Sequence, residues 1–186
     1  MLKAKDIVID SNKKIREKSN DVDIPLSQSD KKLAEALLEY VLLSTIEEDQ
    51  QEKQYKPAVG LAAIQVGVPK KILAIAYSEE EDEKEVEVRY LLANAKIIRN
   101  SVRLAYLKSG EGCLSVEEVH EGYTMRYNKI KVKAYDILNE KEVVIDATGY
   151  LAIVLQHEID HFNGILYYDH IKKENPFYIP SNSVEV

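Results

Sequence analysis

The chain has no tryptophan, one cysteine, two phenylalanines and two methionines among its 186 residues. Its single thiol, Cys113, excludes an intrachain disulfide, fits a reducing compartment and stays free for other chemistry. No apolar run approaches the ~20 residues a membrane helix needs. The opening Met1-Leu2-Lys3-Ala4-Lys5-Asp6 also lacks the apolar stretch and small-residue cleavage site of a secretory signal. A cytoplasmic location without membrane contact is the expectation. Long Lys/Arg clusters are missing too, while acidic runs such as Glu79-Glu80-Glu81-Asp82-Glu83 contribute to a net charge of -7. Direct DNA binding is therefore not expected, because affinity for duplexes comes mainly from cations on phosphates; net charge does not exclude a local basic patch. No repeat, low-complexity linker or composition break divides the chain, so residues 1–186 are expected to form one domain.

What is present suits a folded chain. Hydrophobic residues make up 45% and charged residues 31%, which excludes a wholly disordered chain, a collagen-like fibre and a coiled-coil rod. The aromatic content is mostly tyrosine and serves core and surface packing. Leu33, Leu37, Tyr40, Val41 and Ser44 recur at three- and four-residue spacing, predicting an amphipathic helix over 30–47 capped by Ser29 or Asp30. The polar stretch Glu47 to Lys56 reads as a solvated connection. Strand signals follow at 72–77, 86–92, 130–135 and 143–145, with the acidic run at 79–85 as a hairpin tip. From Ala147 through Phe162 the apolar spacing becomes helical, and Asn163-Gly164 supplies a stop. The tail from Pro176 to Val186 reads as irregular. Together these predict an α+β fold: antiparallel or mixed sheets packed around the later helix, with an N-terminal amphipathic helix.

That later helix carries His157-Glu158-Ile159-Asp160-His161, an HExxH pattern. Residues four apart differ by about 40° around a helix and about 6 Å along it, so both imidazoles can reach one metal ion. A carboxylate beside the first ligand, Glu158, can take a proton from activated water and return it to a leaving group. HExxH also arises by chance, and histidines on a helix can simply hydrogen-bond at the surface. The continuation Phe162 to Tyr167 lacks the third histidine of the HExxHxxGxxH proteases. Upstream, Glu111-Gly112-Cys113-Leu114-Ser115 offers a thiolate that would complete a Cys/His/His set with one position open. Taken alone, Cys113 reads more readily as a small buried apolar residue. Gln65, after Gly60-Leu61-Ala62-Ala63-Ile64, is a candidate amide donor to a developing oxyanion, or an ordinary polar residue at a strand end.

Three segments in this order resemble peptide deformylase, the family that removes the N-formyl group from nascent polypeptides. Ala58-Val59-Gly60-Leu61-Ala62-Ala63-Ile64-Gln65 is similar to its GφGφAAxQ stretch (φ apolar), Glu111 to Ser115 to EGCLS, and Gln156 to His161 to QHExDH. Ala58 stands where the first glycine is usual, and Ile64 where proline is common. The resemblance implies that Cys113, His157 and His161 ligate one divalent metal per chain, with Fe2+ the family's usual ion and Ni2+, Co2+ or Zn2+ able to occupy such sites. It implies Glu158 as general base and acid, and Gln65 with the backbone N–H of Leu114 as oxyanion donors. It also implies strand-like pairing of the substrate peptide with backbone near Gly60, with Val59 and Gly112 among the substrate-binding residues. Formyl-methionyl nascent peptides are the implied substrate, and the ribosome near its exit tunnel the implied setting. The long span from Gln65 to Glu111 and the extended tail are similar to the longer bacterial subclass.

Ile153 and Val154 lie four and three residues before His157, on the ligand face. With Val59 and Leu114 they would wall a pocket for the methionine side chain, or simply belong to the core. His120 and His170 lie outside the motifs and are assigned to neither ligation nor catalysis. Three rivals remain: an endopeptidase using the same HExxH chemistry, a cysteine hydrolase with Cys113 as nucleophile that chelators would not inhibit, and a metal-binding or ribosome-associated module without turnover.

Overall fold

The computed structural model describes residues 1–46, 54–81 and 84–186. It is a mixed α+β fold with few helices and largely antiparallel sheets. Helix α1, Gln28–Ser44, starts earlier than the periodicity predicts, because Ser27 is the cap: its hydroxyl accepts from Asp30 N at 3.1 Å. It also ends earlier, at Ser44. Asp30, proposed from the sequence as a cap, instead sits in the first turn and pairs with Lys70.

Strands β1 (Gly60–Ala62), β2 (Ile72–Glu81), β3 (Lys84–Asn100), β6 (Lys129–Asp136) and β7 (Lys141–Thr148) form one antiparallel sheet in the order β1-β2-β3-β6-β7. A second sheet, ordered β5-β4-β8, joins β4 (Leu104–Tyr106), β5 (Arg126–Tyr127) and β8 (Ser183–Glu185). β8 corrects the reading of the tail as irregular throughout. Ser183, Val184 and Glu185 pair parallel to Leu104, Ala105 and Tyr106, a partnership about 80 residues distant that no local pattern announces. The acidic run does join two antiparallel strands, but their pairing extends into it. Glu79 pairs with Val86 and Glu80 with Glu85, while Asp82 and Glu83, like Glu47 to Lys53 of the expected polar connection, lie outside the described residues.

The five-stranded sheet separates two apolar layers because its side chains alternate. Ile72, Ala74 and Ala76 of β2 face Leu37 and Val41 of α1, and Leu73 and Ile75 face the opposite layer. That opposite layer is organised by helix α2, Tyr150–His161. The helix begins three residues later than the sequence pattern predicts, since Ala147 and Thr148 remain in β7, opposite Ile130 and Lys129. Gly149 makes the turn between them with φ of 59°. Ala152, Ile153, Val154, Leu155 and Ile159 are all buried, so the helix threads through the interior, as its apolar circumference requires. Gly164 ends this region at φ of 68°, where a Cβ would overlap the Arg16 carbonyl.

Candidate active site

Helix α2 presents His157 and His161 one turn apart, ring centroids 5.0 Å from each other. The turn carrying Cys113 brings its Sγ to 3.5 Å from His161 Nε2. One ligand atom from each of Cys113, His157 and His161 lies within 4.8 Å of the other two. The structure therefore gathers the three residues that spacing alone could only nominate.

Each imidazole is prepared differently. His157 Nδ1 lies 2.8 Å from Glu111 Oε2, and since a carboxylate only accepts, Nδ1 carries the proton and Nε2 is left to face the thiol. Burial pushes His157 down, but hydrogen bonds with Cys113 and Glu111 more than reverse this and hold it well above the usual histidine range. His161 is pushed well below that range, first by burial and then by His157, and so stays neutral, the form that ligates. Burial alone would raise Glu111, yet hydrogen bonds from Arg126 and His157 outweigh it and bring its carboxyl to about 2.

Behind Glu111 runs a chain of charges that sequence reasoning missed. Arg126 Nε and Nη2 donate to the two Glu111 oxygens at 2.8 and 2.9 Å, and Arg126 Nη1 donates to Asp160. Asp160 in turn lies 2.7 Å from His170 Nε2. Glu111 and Asp160 were visible as motif letters, but Arg126, on the short strand β5, has no local signal. His170 joins this chain through Asp160 and, at 3.5 Å, Arg126 Nη1, and His120 instead stacks on Tyr168 at 4.0 Å. Gln156, the first letter of QHExDH, pairs both ways with the Tyr127 backbone at 2.9 Å and so ties α2 to β5.

Glu158 is 4% exposed, and its Oε2 has no hydrogen-bond partner among the described residues. Burial raises its carboxyl to about 7, with His157 and Arg126 pulling the other way. Gln65 sits in a 3-10 turn, Ala63–Val66, directly after β1. Its Oε1 accepts from Ala62 N at 2.8 Å, while Nε2 is 3.3 Å from Ser115 Oγ and 3.6 Å from Cys113 Sγ. The amide is thereby oriented with its donor end toward the ligand cluster.

These groups open on a cavity of about 610 Å³. Val59, Gly60, Gly112, Leu114, Ile153 and Val154 all line it, together with Gln65, Cys113, His157 and Glu158. β1 is an edge strand, hydrogen-bonded on one side to β2 and bordering this cavity. Two imidazoles and a cysteine sulfur converging beside a buried carboxyl suit a divalent ion with an open position, since a purely structural site would close with a fourth protein ligand.

The arrangement has counterparts. Residues 4–177 match the model of the polypeptide deformylase family. A peptide deformylase of Oceanobacillus iheyensis is 44% identical over 183 residues, 98% of each chain. The crystal structure of the Ehrlichia chaffeensis peptide deformylase in complex with actinonin superposes with a TM-score of 0.69 at 36% identity, covering 90% of this chain and 88% of that one. A Met-Ala-Ser-bound peptide deformylase from Acinetobacter baumannii gives a TM-score of 0.68 at 25% identity, covering 89% and 96%. With the match running through the Cys113 turn, the edge strand β1 and helix α2, this chain belongs to the polypeptide deformylase family.

Proposed function

We propose that the protein is a metal-dependent hydrolase that removes the N-formyl group from the formylmethionine of nascent polypeptides, releasing formate. The convergence of Cys113, His157 and His161 next to the buried Glu158 carboxyl carries this reading. Cys113 Sγ and the Nε2 atoms of His157 and His161 would hold one divalent ion, which we assign as Fe2+; the same donors accept Ni2+, Co2+ or Zn2+. When bound, that ion supplies Lewis acidity toward water and toward the formyl oxygen.

The chain's own residues do the rest. Glu158, raised to about 7, takes a proton from the attacking water and hands it to the leaving amine, a group balanced to do both near neutrality. Gln65 Nε2 and the backbone N–H of Leu114 donate to the oxyanion as it forms. The free edge at Val59 and Gly60 pairs with the substrate main chain, and Gly112 leaves room on the other side. Such pairing tolerates many sequences because main-chain bonds ignore side-chain identity. Ile153, Val154, Val59 and Leu114 receive the methionine side chain. The likeness of the fold to a deformylase bound to Met-Ala-Ser supports a peptide in this slot.

We read residues 1–186 as one catalytic unit acting in the cytoplasm, meeting its substrates near the ribosomal exit tunnel. Among the described residues no helix is long and apolar enough to cross a membrane. The test is formate release from formyl-Met-Ala-Ser by protein purified anaerobically, with metal measured on the same sample. Release with about one metal per chain, lost on chelation and lowered by about 100-fold or more in Glu158→Ala, is the expected result. Full activity in Glu158→Ala or in chelated enzyme would overturn the assignment.

A further inference from the structure

The outer face of the five-stranded sheet carries positive charge that the fold itself does not require. In β6, Ile130, Val132 and Ala134 are buried, which turns Lys129, Lys131 and Lys133 to the other side. β3 sets Lys96 directly opposite Lys133 and Arg99 directly opposite Lys131. Residues opposed across an antiparallel pair share a face, so five cations form a lattice about 5 Å apart across the strands and about 7 Å apart along them. Like charges placed opposite each other disfavour pairing. β7 returns two carboxylates, Asp146 at 2.6 Å from Lys131 and Glu142 at 3.2 Å from Lys133, leaving three positive charges in excess. Lys96, Arg99 and Lys129 are exposed and have no ion-pair partner among the described residues.

A lattice of this kind matches a polymer of phosphates better than it matches a protein. The centres of protein interfaces are depleted of lysine and depend on buried aromatic anchors, whereas phosphate contacts come from lysine and arginine. The large apolar side chains exposed in β3, β6 and β7, namely Val86, Ile98 and Val144, are aliphatic. We propose that this face of β3 and β6 binds the phosphate backbone of RNA. The choice of RNA among phosphate polymers rests on the reading above, because a protein acting on nascent chains works beside the RNA that makes them. The face is separate from the cavity: the cations lie on the α1 side of the sheet, and α2 packs on the other.

The test is fluorescence anisotropy of a labelled single-stranded RNA of about 12 nucleotides, using the full chain and a Lys96→Gln/Arg99→Gln/Lys133→Gln variant. The intact protein is expected to bind at about 50 mM salt and to weaken about 20- to 50-fold by about 200 mM, as three to four released counterions dictate. The variant should bind at least tenfold less tightly, keep formyl-peptide turnover and unfold at the same or a higher temperature, since like-charge opposition is relieved. No binding at low salt, undiminished binding by the folded variant, or equally tight capture of a poly-glutamate peptide would overturn the proposal. Loss of formate release with RNA binding intact would instead count against the deformylase reading alone.

Discussion

Gly60 stands so close to Glu158 that a Cβ at position 60 would overlap the carboxylate. The edge strand and the buried acid are thus built around one missing side chain. Gly60→Ala is expected to displace Glu158 and lower kcat/KM by about 100-fold, the scale set by misplacing a reacting group by about 1 Å. Steady-state formate release, with circular dichroism showing a retained fold, checks this; wild-type kinetics in a folded Gly60→Ala protein would contradict it.

Glu111 links ligand orientation to acid stability. Its carboxyl titrates at about 2 when folded and at 4.5 when free, so the unfolded chain binds the proton more tightly. The stabilisation is therefore full above about pH 4.5 and is lost as pH falls toward 2, amounting to about 3 kcal/mol. Glu111→Gln should flatten that part of the stability curve. Near neutral pH it should destabilise by about 3 kcal/mol, because the buried Arg126 loses one of its two carboxylate partners and keeps only Asp160, and weaken metal binding about 10- to 100-fold. Urea melts across pH 2–7, with metal titration on the same variant, measure both; a slope equal to wild type below pH 4.5 would remove Glu111 as its source.

Ser115 is fully buried with its Oγ 3.3 Å from Gln65 Nε2. Losing one neutral hydrogen bond of about 1 kcal/mol that only aims a donor should lower kcat about fivefold and leave KM unchanged in Ser115→Ala. A change in KM alone would assign Ser115 to substrate binding.

Ile153 is 2% exposed and lines the cavity, so it serves core and cavity at once. Ile153→Trp should raise KM for formyl-methionyl peptides by about tenfold, because bulk enters the space proposed for methionine. Equal KM in a folded variant would place that side chain elsewhere.

Chain-local chemistry made α2 and its motif readable in advance. The apolar period is carried by neighbouring residues, and the i, i+4 geometry of His157 and His161 holds wherever the helix is placed. The same locality made Glu158 and Cys113 recognisable as chemistry-bearing residues and Ile72 to Tyr77 as a strand. Partners distant in sequence were not readable. Arg126 beneath Glu111, β8 lying parallel to β4, and Ala147 held in β7 instead of beginning the helix each depend on a contact between segments whose proximity only packing creates. The raised carboxyl of Glu158 belongs to the same category: the sequence supplied the acid, but its titration near 7 comes from burial beneath the edge strand, which exists only once the chain has closed around it.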